Sequence, residues 1–138
     1  FIDILKRTEK MSTCESTQVS CVIVRDGRII STGWNGVPAG QKHCNEIYAW
    51  GSLPTNGKNH QDWSPLNELH AEVNAIGYAA QNGVVTKDAT LYTSVSPCID
   101  CAKLIVAAGI KEVWYIDEYR ITDGIKFLNE NKIGCKKL

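Results

Sequence analysis

His70 and Glu72 stand two residues apart in "ELHAEVNAI", and Cys98 and Cys101 stand three apart in "SPCIDC". All four interrupt segments that are otherwise apolar. A histidine and two thiolates make three zinc ligands, and three protein ligands leave the fourth tetrahedral position open, as catalytic zinc requires. Zinc in such a site brings the pKa of bound water down to about 7. Glu72 can move that water's proton without itself being a ligand. Such a set adds hydroxide to an amidine-like carbon and expels ammonia. Each feature alone has other uses: a lone histidine in a helix is commonly a satisfied polar residue, and Cys-x-x-Cys also serves redox or structural roles. A redox dithiol has no need of His70 or Glu72, and a purely structural zinc is normally closed by a fourth ligand.

The elements that position these residues follow from periodicity and punctuation. "SPLNELHAEVNAIGYAAQNG" predicts one helix, started at Ser64-Pro65 or Asn67 and ended at Asn82-Gly83. Its buried stripe is expected at Leu66, Leu69, Val73, Ile76 and Ala80. "SPCIDCAKLIVAAGI" predicts a second helix with Ser96 as N-cap, Pro97 at the first helical position and Gly109 past the end. Cys98 and Cys101 then lie on its first turn, where the positive helix end favours thiolates. "VSCVIVRDGRIISTGW" predicts a hairpin, with Val19 to Val24 and Arg28 to Gly33 as strands about Asp26-Gly27. "ATLYTSV", "KEVWYID" and the terminal "CKKL" read as strands, and "TDGIKFLNENKIG" as a helix. "IDILKRTEKMSTC" reads as a short amphipathic helix with Ile2, Leu5 and Met11 on its apolar side. Asn35 to Pro65 reads as a long functional loop. Alternating strands and helices in the second half imply parallel pairing, so the expectation is an α/β fold with a mixed, roughly five-stranded sheet covered by helices.

The totals bound what such a site can serve. The chain has 138 residues, expected to form one domain over 1–138. Fifteen basic and fifteen acidic side chains cancel, which argues against a stable grip on nucleic acid phosphates. No apolar run reaches the roughly eighteen residues of a membrane span, and the first residues lack a secretory pattern. Six cysteines without a disulfide-dependent size point to a reducing, cytoplasmic setting, host cytoplasm if the source is viral. Cys21 and Cys135 fall in strand-like contexts and read as core packing.

His-x-Glu followed by Pro-Cys-x-x-Cys is the pattern of zinc nucleobase deaminases. "HAEVNAI", "SPCIDCAKLIVAAGIKEV" and "STGWNGVPAG" together resemble the deoxycytidylate (dCMP) deaminase family, phage-like members included, within the cytidine deaminase-like superfamily. Trp34 stands where that family usually has Tyr. The resemblance implies a three-layer α-β-α sandwich and hydrolysis of dCMP to dUMP and ammonia, feeding thymidylate synthesis. It implies His70, Cys98 and Cys101 as catalytic zinc ligands and Glu72 as the proton shuttle. It also implies Asn35 on the sugar, the Ala71 backbone amide on the pyrimidine, and Tyr119 at the 5′-phosphate or closing over substrate. A tRNA adenosine deaminase, a deaminase accepting dCTP and a non-catalytic zinc module are the competing readings. Asn74, the Gly36–Gly40 run and the zero net charge favour dCMP.

The same resemblance reaches the remaining ligand-type residues. Some phage members carry a second, structural zinc, and its pattern falls on Cys14, Cys44, His60 and Glu68, with His43 the nearest substitute. Family members are typically homohexamers, activated by dCTP and inhibited by dTTP, each bound with Mg2+. The glycine-rich loop from Gly33 to Gln41 is the expected triphosphate cradle, with Gly36, Gly40 and Gln41 supplying it and Arg28 or Lys42 adding charge.

Overall fold

Every residue from Ser20 to Val24 is buried, although neighbouring side chains of a strand point to opposite sides. Such a strand must lie inside a sheet that is covered on both faces. The computed structural model describes residues 1–48 and 58–138. Its elements run α1 (Ile2–Glu9), β1 (Ser20–Arg25), β2 (Arg28–Trp34), α2 (Cys44–Ile47), α3 (Lys58–Asn67), α4 (Ala71–Gln81), β3 (Thr90–Val95), α5 (Ile99–Ala107), β4 (Glu112–Asp117), α6 (Asp123–Glu130) and β5 (Gly134–Lys137).

The sheet has five strands in the order β2-β1-β3-β4-β5. Asp26 and Gly27 take φ of 52° and 72°, the two-residue turn that the Asp-Gly pair predicts, and fold β2 back antiparallel on β1. β3 pairs antiparallel with β1, whereas β4 and β5 add in parallel through the connections that hold α5 and α6. On one face, Leu5 of α1 packs on Val22 and Val24. On the other, Ala75, Ile76, Ala102, Ile105 and Leu128 pack on Cys21, Ile23, Leu91 and Val113. Helix, sheet and helix therefore form the three layers that the sequence implies. Cys21 is fully buried and Cys135 packs at the edge of the same core.

Several expectations need correction. The helix expected from Ser64 to Asn82 is two helices, α3 and α4, broken at Glu68–His70. The break exists because Leu69 pairs its backbone with Gly36, donating at 2.8 Å and accepting at 3.1 Å. The apolar stripe shifts with it: Ala71, Ala75, Ile76 and Ala79 are buried, whereas Leu66 is 85% exposed and Leu69 and Ala80 are also exposed. Ser96 does not cap α5, which starts two residues later with Cys98 as N-cap. The Ser96 hydroxyl instead accepts the Tyr119 N–H at 2.8 Å. Met11 lies beyond α1 and is exposed. The expected loop from Asn35 to Pro65 holds α2 and most of α3; its residues 49–57 lie outside the described residues.

Candidate metal centres and active site

His70 and Cys98 hold equivalent positions: each is the N-cap of a helix, with ψ of 157° and 171°. The extended backbone of an N-cap turns the chain into the helix beside its unpaired N–H groups. Two positive helix ends, those of α4 and α5, therefore meet at one place. His70 Nδ1 lies 3.5 Å from Cys98 Sγ and 3.4 Å from Cys101 Sγ. Tetrahedral zinc with ordinary Zn–N and Zn–S bonds sets its ligand atoms about 3.3–3.8 Å apart, so the donors and their spacing fit that ion. His70 is exposed, Cys98 half-buried and Cys101 buried, which leaves the cluster open on one side.

Glu72, in the first turn of α4, is only 4% exposed. Its carboxyl touches Cys101 and its own backbone N–H, and burial raises its pKa. Cys98 is lowered to about 3, first by the Cys101 thiol donating to it and then by His70 and the Cys101 N–H. Cys101 is raised, first because it supplies that proton and then by burial. One thiolate and one thiol beside an imidazole make a donor set that a divalent cation completes by displacing the shared proton.

Backbone contact fixes this arrangement. A Cβ at Gly33 would lie 2.3 Å from the Ala71 carbonyl oxygen, so β2 runs against the first turn of α4. Asn74 Nδ2 donates to the Trp34 carbonyl at 2.6 Å, and Ser31 Oγ donates to the Ala75 carbonyl at 2.6 Å. Gly124 does the same for the other ligand helix, since a Cβ there would lie 2.0 Å from the Pro97 carbonyl oxygen.

A second cluster gathers Cys14, Cys44, His60 and Glu68, whose ligand atoms all lie within 4.8 Å of one another. Cys14 Sγ is 3.6 Å from both His60 Nε2 and Glu68 Oε2. Glu68 Oε2 also accepts from Ser64 Oγ at 2.6 Å, whereas its buried Oε1 has no hydrogen-bond partner among the described residues. A buried carboxylate oxygen without a donor is costly, and a cation removes that cost. Burial raises both thiols, Cys44 to about 11. Backbone N–H groups oppose this: Glu15 donates to Cys44 Sγ at 3.3 Å, and Thr17 and Ser16 donate to Cys14. His60 stands among Tyr48 and Trp63, with ring centroids 5.4 and 6.0 Å away. Four protein donors in a nearly dry setting fit a closed structural metal site. His43 is not among them; its ring Nδ1 lies 3.1 Å from Thr13 Oγ1.

Asn35 is buried beside the Gly36–Leu69 bridge, next to His70 in the chain. Ala71, fully buried, is the first residue of α4, where backbone N–H groups have no intrahelical acceptor. Tyr119 is half-buried, tied through its N–H to Ser96 and stacked by Arg120 at 5.9 Å. Gly40, with φ of +85°, permits the turn in which Gln41 N–H donates to the Pro38 carbonyl. Gly36 is buried in the bridge, and Gln41 and Lys42 are exposed. Arg28 is not with them: it starts β2 while the loop follows that strand's other end, about 20 Å along an extended chain. Sequence reasoning missed Ser12 and Gly124, and took Ser64 and Ser96 only as helix-start residues. Only tertiary contact reveals what these residues meet.

Residues 1–117 match the family model of the cytidine and deoxycytidylate deaminase zinc-binding region. The deoxycytidylate deaminase of Enterobacteria phage T2 is 39% identical, over 78% of this chain and 73% of its own length. That of Mycobacterium phage D29 is 34% identical, over 86% of this chain and 92% of its own. The crystal structure of cyanophage S-TIM5 dCMP deaminase in complex with dCMP and dUMP superposes with a TM-score of 0.82 at 33% identity, covering 99% of this chain and 93% of that one. A three-donor cluster open at two helix ends, the mixed sheet that carries it and these matches converge: the chain belongs to the cytidine and deoxycytidylate deaminase family, the zinc-binding hydrolases that remove an amino group.

Proposed function

We propose that this chain, as one deaminase domain, hydrolyses dCMP to dUMP and ammonia and so supplies dUMP for thymidylate synthesis. The observation that carries the chemistry is buried Glu72 beside the open His70–Cys98–Cys101 cluster. The relatives' substrate supports the choice of dCMP. His70, Cys98 and Cys101 would hold zinc, which would supply a Lewis acid that makes water acidic enough to lose a proton near neutral pH, at a pKa of about 7. Glu72 accepts the proton as the water oxygen bonds to C4 of the cytosine, and passes it to ring N3. It then takes the remaining proton from the new C4 hydroxyl and delivers it to the amino nitrogen, so that the C4–N bond breaks, the C4 carbonyl forms and ammonia leaves. The dry position of Glu72, which raises its pKa, suits a carboxyl that holds a proton within the cycle. The Ala71 N–H meets the pyrimidine carbonyl, Asn35 meets the 3′-oxygen, and Tyr119 faces the 5′-phosphate or closes over it. Incubation with dCMP, dCTP, deoxycytidine and tRNA, following ammonia, tests the assignment. Fastest release is expected from dCMP; fastest release from tRNA would overturn it.

The proposal extends to a second, structural zinc on Cys14, Cys44, His60 and Glu68, supported by the unpartnered Glu68 oxygen. It also extends to control by dCTP and dTTP with Mg2+ in a cytoplasmic homohexamer. A cavity of about 470 Å³, lined in part by Val37, Gln41, Lys42 and Trp63, leaves Gln41 and Lys42 room to meet a nucleotide, whereas the Gly36 N–H is taken by the Leu69 carbonyl. Arg28 could join such a site only from another subunit. Among the described residues no helix is long and apolar enough to cross a membrane.

A further inference from the structure

Asn35 has less freedom than a surface asparagine. Its Oδ1 accepts two hydrogen bonds, from Ser12 Oγ and from the Val19 N–H, both at 2.8 Å. Its Nδ2 donates one, to the Thr17 carbonyl at 2.8 Å. A carboxamide oxygen takes two donors and its nitrogen gives two hydrogens. One N–H therefore remains among the described residues, and the side chain is fixed as a donor whose amide cannot be flipped without breaking all three contacts. Among the described residues Ser12 is the only side chain in that frame, the other partners being backbone. Its hydroxyl also lies 2.8 Å from the Asn35 carbonyl oxygen and accepts the Cys14 N–H at 3.2 Å. Its carbonyl in turn accepts from Gln18 Nε2 at 2.7 Å. Ser12 is 4% exposed, so water does not substitute readily for its hydroxyl.

We propose that Ser12 is a positioning residue for substrate: its hydroxyl orients the Asn35 amide so that the remaining Nδ2–H is offered to the sugar 3′-oxygen, and its N–H contact with Cys14 ties that orientation to the second cluster. This rests on the reading of Asn35 as the sugar contact. The hydroxyl has one proton, and its two acceptors, Oδ1 and the backbone carbonyl, both belong to Asn35 at 2.8 Å, so the shared proton clamps the Asn35 side chain against its own backbone while the Cys14 N–H holds the hydroxyl from the other side. A Cys14 held by its sulfur keeps its own N–H, and with it Ser12, in place. Ser12 touches neither cluster's ligand atoms nor substrate, so its loss leaves chemistry at C4 intact and changes binding.

The test is a cycle between protein and substrate. Zinc-loaded wild type, Ser12→Ala and Ser12→Thr are each assayed for kcat and KM on dCMP and on 2′,3′-dideoxycytidine monophosphate, which lacks the 3′-oxygen. One ordinary hydrogen bond corresponds to about 2- to 13-fold in affinity. Wild type is expected to favour dCMP by such a factor. Ser12→Ala should lose that preference by a higher KM for dCMP, with kcat and the dideoxy substrate little changed, and Ser12→Thr should restore it. A preference kept intact in Ser12→Ala overturns the role of Ser12 while leaving Asn35 as the sugar contact. No preference in wild type overturns the Asn35 reading and this inference with it. Should Ser12→Ala misfold, as read by melting temperature and zinc content, Ser12→Cys keeps the volume with a much weaker donor, and an unchanged preference there refutes the proposal equally.

Discussion

Gly33→Ala tests whether the open cluster depends on backbone contact between β2 and α4. The added Cβ would sit 2.3 Å from the Ala71 carbonyl oxygen, 2.5 Å from the Ala75 nitrogen and 3.0 Å from the Ala75 Cα. All three atoms are backbone, so no rotamer change relieves the clash. Ordinary contact begins near 3.4 Å, so the first turn of α4 must retreat by about 1 Å. Overpacking of this kind costs about 1–3 kcal/mol. The retreat also stretches the Asn74–Trp34 and Ser31–Ala75 hydrogen bonds, each worth about 0.5–1.5 kcal/mol net. A total of about 2–6 kcal/mol lowers the melting temperature by roughly 6 °C or more in a chain of this size. His70 and Glu72 ride on the moving turn, and a 1 Å misplacement costs on the order of 10²-fold in rate. Urea unfolding, zinc content and kcat/KM on dCMP measure each consequence. Gly77→Ala is the matched control: it lies on the same helix with nothing within 4 Å of its Cβ. There alanine should stabilise by about 0.5–1 kcal/mol through helix propensity, with turnover retained. Wild-type stability and turnover in Gly33→Ala would refute the argument that this contact sets the site.

Glu72→Gln should keep its zinc and lose about 10²–10⁴-fold in turnover; because burial disfavours the Glu72 charge, its melting temperature should not fall. Wild-type-like turnover at full zinc occupancy would remove Glu72 from the mechanism. His60→Ala should reduce zinc from about two per chain to about one, leave the Cys98–Cys101 ion and lower the melting temperature. A wild-type content of one zinc, lost only in His70 or Cys-x-x-Cys variants, would end the second-site proposal. dCTP and dTTP with Mg2+ should shift the dCMP saturation curve in opposite directions, by about 5–150-fold in affinity. Simple competition by both would leave an unregulated deaminase.

The strands were legible to within about a residue because alternation and turn chemistry are local. The starts of α1 and α6 were legible too, but those of α4 and α5 were not, and these errors fall at the site. His70 and Cys98 lie at N-caps, where ligands need an extended backbone, but a hydrophobic pattern has no symbol for that. The run through Leu66, Leu69 and Val73 mimics one helix, although α3 and α4 are cut by the Leu69–Gly36 bridge. The open cluster could be read from residue types at short spacing. The Cys14–Cys44–His60–Glu68 cluster could be found only by resemblance, since nothing local joins positions so far apart. Ser12 and Gly124 were silent, and Ser96 was read as a cap, because small residues announce their partners only in three dimensions.

The stretch from Glu68 to His70 explains why the two clusters are not independent. Glu68 supplies a carboxylate to the closed cluster and His70 an imidazole to the open one, with Leu69 between them paired to Gly36. Asn35 precedes Gly36 and is held by Ser12, which accepts from Cys14 of the closed cluster. Two short paths therefore run from the closed cluster, one to a ligand of the open cluster and one to the proposed sugar contact. A cation on Cys14, Cys44, His60 and Glu68, as proposed above, would meet the Glu68 oxygen that has no partner among the described residues and fix both paths at once. Among the described residues, the apolar side chains packed at that corner are Cys14, Cys44, Tyr48 and Trp63, a small cluster set apart from the main core. Loss of that cation should thus raise KM through Asn35 and loosen His70 before it unfolds the sheet, whose own core of Ile23, Leu91, Ile105 and Val113 does not depend on it.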